Sequence, residues 1–120
     1  MGYIRTKATI TNPNRTRSRE PTFLVDSGSW YTVITPKIGH GIELTPTMKT
    51  KLTLADKREI EATLAPAYVK IQGREIATLV PILDVPEPLV GVETLEALGL
   101  KPNPSTGQLE PTRPYTVLLV

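Results

Sequence analysis

The fold and the chemistry of this chain are decided by one stretch, residues 23–34, which reads FLVDSGSWYTVI. Its first three residues are apolar and predict a short buried strand, and Asp26 follows them directly. A carboxylate at the buried end of a strand loses hydration and therefore needs hydrogen-bond donors. Gly28 permits a tight turn and close approach by a ligand backbone, while Ser27 and Ser29 supply hydroxyls that can orient the carboxylate. The simpler alternative is an aspartate that only begins an Asx-turn.

A second informative stretch lies at residues 88–100, which read PLVGVETLEALGL. Its first four residues form an apolar segment that ends in glycine, with a short strand expected at residues 89–90. The best helix candidate of the chain follows at Glu93–Leu98, because two glutamates suit its first turns. Gly99 fits the position just after a helix, and Pro102 blocks continuation. We therefore expect a strand, a glycine and a short helix in that order.

The remainder of the chain is punctuated by 12 prolines and 8 glycines, which leaves room for few long helices. Gln72-Gly73 is expected to form a two-residue hairpin turn, Pro36–Gly41 a turn or one helical turn, and Lys101–Pro114 a loop. The sum is a mainly β protein, a barrel or a sandwich, with one short helix. Further short strands are predicted at Tyr3–Ile10, Thr22–Val25, Tyr31–Thr35, Met48–Leu54, Glu59–Leu64, Ala67–Ile71, Glu75–Leu83 and Tyr115–Val120.

Composition sets limits on the function. The chain has 120 residues and a mass of 13.2 kDa, and we expect residues 1–120 to form one domain. It has no cysteine and one histidine, which excludes disulfides and cysteine-based or multi-histidine metal sites, so no metal and no cofactor are expected. The formal charge of +2 gives only a weak hint of an anionic partner. The sequence shows no secretory signal and no apolar run of membrane-spanning length, so we expect no membrane partner and a cytoplasmic location.

The two stretches together resemble the signatures of retropepsin-like aspartic proteases, the family of the retroviral enzymes. Residues 23–34 match its apolar strand, Asp-Thr/Ser-Gly-Ala/Ser, two variable residues and Thr/Ser-Val-Ile. Residues 88–91 match its apolar-apolar-glycine segment, which precedes a short helix. The resemblance covers roughly residues 3–109, and the chain is identified as a single-lobe, homodimeric, cellular member. This implies a closed or partly open β-barrel of the retropepsin type with one short helix.

The resemblance also implies an activity. Aspartic proteases use two carboxylates that share one proton, because like charges so close cannot both ionise. This chain carries one Asp-Ser-Gly, and neither Asp56 nor Asp84 repeats it, so a two-lobed single-chain enzyme is excluded and a homodimer must supply the pair. One Asp26 would activate a water and the other would polarise the scissile carbonyl, while Ser27 braces the two loops and Gly28 offers its carbonyl to the substrate. The implied function is an aspartic-type endopeptidase that hydrolyses a peptide or protein substrate.

The resemblance further implies residues that contact the substrate. Ser29, Val33 and Leu89 fall beside the expected cleft, and the apolar pair indicates a preference for hydrophobic side chains beside the scissile bond. Val33 and Leu89 are equally well explained as core residues. Trp30 and Val92 depart from the viral pattern, which has an Asp and an Arg at these positions and pairs them near the dimer interface. Because both charged partners are missing here, we expect a different dimer contact.

The family covers its cleft with a β-hairpin flap, for which Met48–Leu64 is the candidate here. The polar break Ala55–Arg58 would form its tip, and Ala55, Asp56 and Lys57 are candidate substrate contacts. Viral flap tips are glycine-rich and apolar, whereas this tip is charged. It therefore fits a working flap of unusual chemistry or an ordinary exposed hairpin.

Two other functions remain open at this point. The first keeps the fold without catalysis, as a peptide-binding or dimerisation module, and the charged tip favours it. The second is a basic β-barrel that binds nucleic acid through Arg15, Arg17 and Arg19. A lone loop with three arginines is more typical of a solvated hairpin tip, so nucleic acid is not the expected partner. A serine hydrolase triad built on His40 lacks the sequence context of a nucleophile elbow.

Overall fold

The computed structural model describes residues 3–115 of the chain. The expected mainly β fold is confirmed, with two short helices where the sequence predicted one. No helix within these residues is long and apolar enough to cross a membrane. The helices are α1 Pro36–Gly41 and α2 Val92–Leu98. The strands are β1 Arg5–Lys7, β2 Thr9–Thr11, β3 Ser18–Arg19, β4 Thr22–Val25, β5 Met48–Thr53, β6 Glu59–Ile71, β7 Arg74–Ile82, β8 Leu89–Val90, β9 Leu100–Asn103 and β10 Gln108–Pro111.

Capping explains where both helices begin and end. The Thr35 hydroxyl precedes α1 and accepts a hydrogen bond from Ile38 N at 3.3 Å, while Pro36 suits the first turn. This is the segment for which the sequence left a turn or one helical turn open. α2 follows Gly91 and ends at Gly99, whose φ of 67° is left-handed. The helix that the sequence predicted at Glu93–Leu98 is thus present as α2, and it begins one residue earlier than expected.

The strands form three sheets. In the first, β4 lies antiparallel to β1 and parallel to β8. The second is organised around the long strand β6, which pairs with β7 along one edge and with β5 and then β2 along the other, and β3 pairs with β2. β9 and β10 form a separate hairpin. Between residues 3 and 115 the sheets do not close into a barrel, so of the two expected forms the structure has the partly open one.

The β6–β7 hairpin is the longest regular element of the chain. Gln72 and Gly73 both have left-handed φ values, 52° and 77°, which matches the predicted two-residue turn. The sequence predicted two strands separated by a bend at Pro66, but Glu59–Ile71 is continuous. Along β6, the pairing with β5 ends at Leu64 and the pairing with β2 begins at Tyr68. Residues 65–67 therefore pair with β7 alone. Pro66 therefore lies where one edge has no ladder to interrupt.

Two other strand predictions and one loop prediction need correction. Tyr3–Ile10 forms two strands with a break at Ala8, whose N–H donates to Pro21 O at 3.3 Å. Tyr31–Thr35 is not a strand, because only two of its residues form bridges and each bridges to a different strand. The expected loop at 101–114 contains the β9–β10 hairpin, which turns at Gly107 with φ 71°. The predicted strand Tyr115–Val120 lies outside the described residues beyond its first position.

The core joins the two stretches that the sequence singled out. Phe23 from the first stretch, and Val90 and Leu98 from the second, are fully buried in one apolar cluster. Val69 and Val80 from the β6–β7 hairpin complete the same cluster. Burial of such side chains is worth roughly 1.5–3 kcal/mol each, so the packing that stabilises the fold also holds the two stretches together.

Candidate active site

Asp26 lies at the end of β4 and opens a tightly bonded loop. Its N–H donates to Val90 O at 2.9 Å, which ties the residue to β8. Its Oδ1 accepts a hydrogen bond from Gly28 N at 2.9 Å, and its carbonyl accepts one from Ser29 N at 3.1 Å. The Asx-turn is therefore present, and it fixes the carboxylate of a half-buried residue beside a cleft. Ser27 is exposed on the same loop.

β8 lies between the two arms of the first sequence stretch. Leu24 pairs with Leu89 in parallel register on one side. On the other side Val33 N donates to Leu89 O at 2.8 Å, and Leu89 N donates to Val33 O at 2.9 Å. Two segments more than fifty positions apart in sequence thus form one hydrogen-bonded unit beneath Asp26.

The N-terminus of α2 completes this unit. Val92 N donates to Ser29 O at 2.7 Å, and Glu93 N donates to Trp30 O at 3.1 Å. These are donors that a helix leaves unpaired at its start, and the Asp26 loop satisfies them. A Cβ at Gly91 would lie 2.3 Å from Tyr31 O, so only glycine lets the helix approach the loop so closely.

A buried pair of hydroxyls lies at the centre of the same contact. Thr32 Oγ1 accepts a hydrogen bond from Gly91 N at 3.1 Å and lies 2.6 Å from Thr94 Oγ1. Both threonines are almost completely buried. Because buried polar groups are costly when unpaired, this network fixes the position of the loop as well as its shape.

The loop faces a cleft of about 350 Å³. Six of the residues singled out from the sequence line it together: Asp26, Gly28, Ser29, Val33, Ala55 and Leu89. Ser27, Asp56 and Lys57 are not among the lining residues and are exposed. Val33 is 5% exposed, so it serves both as a core residue and as part of the cleft wall.

The hairpin β5–β6 contributes residues 52–55 to the lining of this cleft, and its tip has a compact local structure. Leu54 N donates to Arg58 O at 2.8 Å, and Lys57 N donates to Leu54 O at 2.9 Å. Lys57 has a left-handed φ of 69°, a conformation that favours glycine. Asp56 Oδ2 accepts a hydrogen bond from Arg58 Nε at 2.6 Å. The charges of Asp56 and Arg58 therefore compensate each other. The tip, which lacks the glycines of the viral pattern, is closed by these local hydrogen bonds.

Several lining residues were not identified from the sequence. The alternation in β5 contained a signal for two of them, Leu52 and Leu54, because residues two apart share a strand face. Trp30 and Tyr31 stand within the first stretch, where they were treated as variable positions. Leu83 and Val85 follow β7 and carried no signal, since a contact with the distant first stretch, Leu83 N to Ile34 O at 3.0 Å, holds this segment. Together with Val33, Ala55 and Leu89, these residues make most of the lining apolar.

Two of the three arginines of the 12–20 loop, Arg15 and Arg17, lie near carboxylates, and the third lies beside α1. Arg15 Nη2 lies 2.6 Å from Glu75 Oε1, and this hydrogen bond holds the pKa of Glu75 below its ordinary value. Arg17 lies 3.9 Å from Glu43, and Arg19 packs against the end of α1. The loop therefore does not present a set of free cations to a nucleic acid. Across residues 3–115 no group of three or more His, Cys, Asp or Glu side chains could hold a metal ion.

Comparison with known proteins gives a fold and no sequence relative. No protein-family model matches the chain, and no curated protein matches it. Among solved structures, the chain is similar to EIAV protease complexed with the inhibitor HBY-793. The sequence identity is 24%, the match covers 82% of this chain and 89% of that chain, and the TM-score is 0.64. This similarity confirms the retropepsin-like fold expected from the two sequence stretches.

Proposed function

We propose that the chain is an aspartic endopeptidase that acts as a homodimer, with one Asp26 from each subunit. The observation that carries the proposal is the Asp26 carboxylate, which is held by Gly28 N at 2.9 Å beside an apolar cleft under a hairpin. The likeness to a retroviral protease structure supports the proposal at the level of the fold. Since each chain supplies one such aspartate, the pair requires a second copy.

The chemistry follows from the pairing of two carboxylates that share one proton. The ionised Asp26 takes a proton from a water, and the oxygen of that water attacks the scissile carbonyl. The protonated Asp26 of the other subunit donates a hydrogen bond to the carbonyl oxygen, and a proton then passes to the leaving amine. Activity is expected to be highest in mildly acidic solution, where the pair carries one proton.

The exposed part of the loop fits a contact across the two-fold axis. Ser27 and Gly28 are exposed, as a brace and a substrate-facing carbonyl require. Val33 and Leu89 line the cleft and favour hydrophobic side chains beside the scissile bond. The segment Tyr115–Val120 stays a candidate for the sheet between subunits, because an apolar terminal strand favours edge pairing.

A mixing experiment tests catalysis and dimerisation together. Asp26→Asn should abolish cleavage of apolar peptides and leave the fold intact, because the amide keeps the shape but cannot act as a base. When wild-type and Asp26→Asn proteins are mixed in equal amounts and allowed to exchange subunits, activity per total protein should fall to about one quarter, since only dimers with two Asp26 residues are active.

Other results would contradict the proposal in distinct ways. A fall to one half would show that each chain acts alone. Cleavage that survives in the Asp26→Asn protein would place the activity elsewhere. Peptide binding by both proteins without cleavage by either would favour the alternative, a retropepsin-fold peptide-binding or dimerisation module. Sedimentation equilibrium at high micromolar concentration measures the dimer independently of activity.

A further inference from the structure

We infer that Trp30 selects the substrate of this cleft by binding a large aromatic or aliphatic side chain of the peptide. The inference rests on the proposed function, because it names the substrate class of the same site. It gives Trp30 a role in specificity and none in bond cleavage.

Trp30 is exposed where an aromatic side chain would ordinarily be covered. It is the single tryptophan of the chain, and 57% of its surface is exposed although it lines the cleft. Indole is the largest apolar side chain, so leaving it in water forgoes the favourable free energy of burial. Exposed aromatic groups in concave surfaces are typical of binding sites, where the ligand completes the burial. Tyr31 also lines the cleft.

The backbone that carries Trp30 is fixed before any ligand binds. Trp30 O accepts a hydrogen bond from Glu93 N at 3.1 Å, and the preceding Ser29 O accepts one from Val92 N at 2.7 Å. A Cβ at Gly91 would lie 2.6 Å from Trp30 O, so the helix and the loop are in direct backbone contact. A tryptophan on a fixed backbone has only two side-chain torsions to restrict, which keeps the entropic cost of binding low.

The rest of the lining determines which chemistry Trp30 would accept. Asp26 is the only charged residue that lines the cleft in the described part of the chain. Leu52, Leu83 and Val85 supply apolar walls. A charged substrate side chain placed among them would lose hydration without gaining a partner. A bulky apolar side chain, above all an aromatic one, would bury both itself and the indole ring.

Because the chain has one tryptophan, its emission reports directly on this position. The Asp26→Asn protein, in which the proposed cleavage is blocked, is titrated with apolar octapeptides that differ only by Phe or Ala at one position. That position is moved along the peptide in turn. We expect Phe at one position to shift the Trp30 emission to the blue and to bind about tenfold more tightly than Ala. Aspartate at that position should bind no better than Ala.

Variants in the same Asp26→Asn background separate Trp30 from the rest of the surface. Calorimetric titration of Trp30→Ala should give equal affinities for the Phe and Ala peptides, while Trp30→Phe should keep the preference. Tyr3→Ala is the matched control, because Tyr3 is 80% exposed and does not line the cleft. It should keep the preference in full.

The outcomes distinguish this inference from the proposed function. Equal affinity for Phe and Ala peptides at every position would overturn the inference. An emission shift that accompanies dilution to monomers, without any response to peptide, would also overturn it by placing Trp30 in the dimer contact. If the wild-type protein cleaves peptides but its preference for Phe over Ala does not depend on Trp30, the inference is wrong and the proposed function is unaffected. A Trp30-dependent preference with no cleavage by the wild-type protein would support the inference and remove catalysis from the proposal.

Discussion

The base of the candidate site and the tip of the flap face the same cleft, but they are held in opposite ways. In the base, residues 26–32 with 90–94, successive amides of one segment bond to the other, and a buried hydroxyl pair lies between them. In the flap tip, residues 54–58, the hydrogen bonds join only residues of the tip itself, and all but Leu54 are exposed. The proposed function would require such a division, with a fixed base that holds the carboxylate and a hairpin that can open to admit a peptide.

The largest effect is expected from Gly91→Ala, which breaks the base. The new Cβ would lie 2.3 Å from Tyr31 O and 2.6 Å from Trp30 O, and both are backbone atoms that cannot rotate away. We expect a loss of about 3 kcal/mol or more in the free energy of unfolding, at the upper end for overpacked sites. Urea denaturation followed by circular dichroism measures it.

Gly39→Ala is the matched control for that substitution. Gly39 is also buried, but its Cβ would meet the flexible ends of two side chains, Ile82 at 3.4 Å and Ile34 at 3.7 Å. Alanine is the better helix former, so the net change should stay within about 1 kcal/mol. If Gly91→Ala proved as mild as Gly39→Ala, the close contact between helix and loop would not be what holds the base together.

A smaller effect is expected at the buried hydroxyl pair. Thr32→Val leaves Gly91 N–H buried without an acceptor and should cost about 2 kcal/mol. Thr94→Val removes one hydroxyl but leaves the bond from Gly91 N to Thr32 Oγ1, so it should cost less. Valine has nearly the same shape as threonine, so equilibrium unfolding of the two variants compares the lost hydrogen bonds. The reverse order would show that Thr94, rather than the backbone amide, makes the critical bond.

The turns and the helix end were predictable from the sequence because their determinants are local. Asp26 and Gly28 form their turn through a bond two residues apart, and Gly99 ends α2 through its own φ value. The Gln72-Gly73 turn likewise depends on left-handed conformations that these two residues tolerate. Such features need no knowledge of distant partners.

The rest of the site depends on pairing that no local pattern encodes. Leu83 and Val85 follow β7 and line the cleft, and Leu83 N donates to Ile34 O at 3.0 Å, a contact between segments nearly fifty positions apart. The β-branched and aromatic residues of Tyr31–Thr35 suggested a strand, yet Val33 and Ile34 bridge to different strands, so no ladder can extend. The charged flap tip gave no indication that Lys57 takes a left-handed conformation.

The flap tip should show the opposite behaviour from the base, with little effect on stability and a clear effect on kinetics. Replacing both Asp56 and Arg58 by alanine removes an exposed ion pair at 2.6 Å, which should change the free energy of unfolding by under about 0.5 kcal/mol. If the tip closes over a substrate, the Michaelis constant or the turnover number for apolar peptides should change. Removing Lys49 and Glu61, an exposed pair at 3.9 Å on the same hairpin, is the control and should leave both unchanged. Unaltered kinetics in both variants would make the hairpin an ordinary surface feature.

The smallest effect is expected from the exposed ion pair between Arg5 and Glu87, on the loop before β8, and it depends on pH. Glu87 Oε1 lies 2.9 Å from Arg5 Nε, and the hydrogen bond from Arg5 holds the pKa of Glu87 below its ordinary value of 4.5. Because the folded state lowers this pKa, the pair stabilises the fold above pH 4.5, and the contribution is lost as the pH falls through the lowered value. Glu87→Gln should therefore lower the urea midpoint slightly at pH 7 and leave it unchanged at pH 2.5.

Asp84→Asn is the control on the same loop, since Asp84 forms no ion pair within residues 3–115, and it should show no such difference between the two pH values. If the urea midpoint of the Glu87→Gln protein remained lower at pH 2.5, packing of this loop, rather than its charge, would be what stabilises the fold.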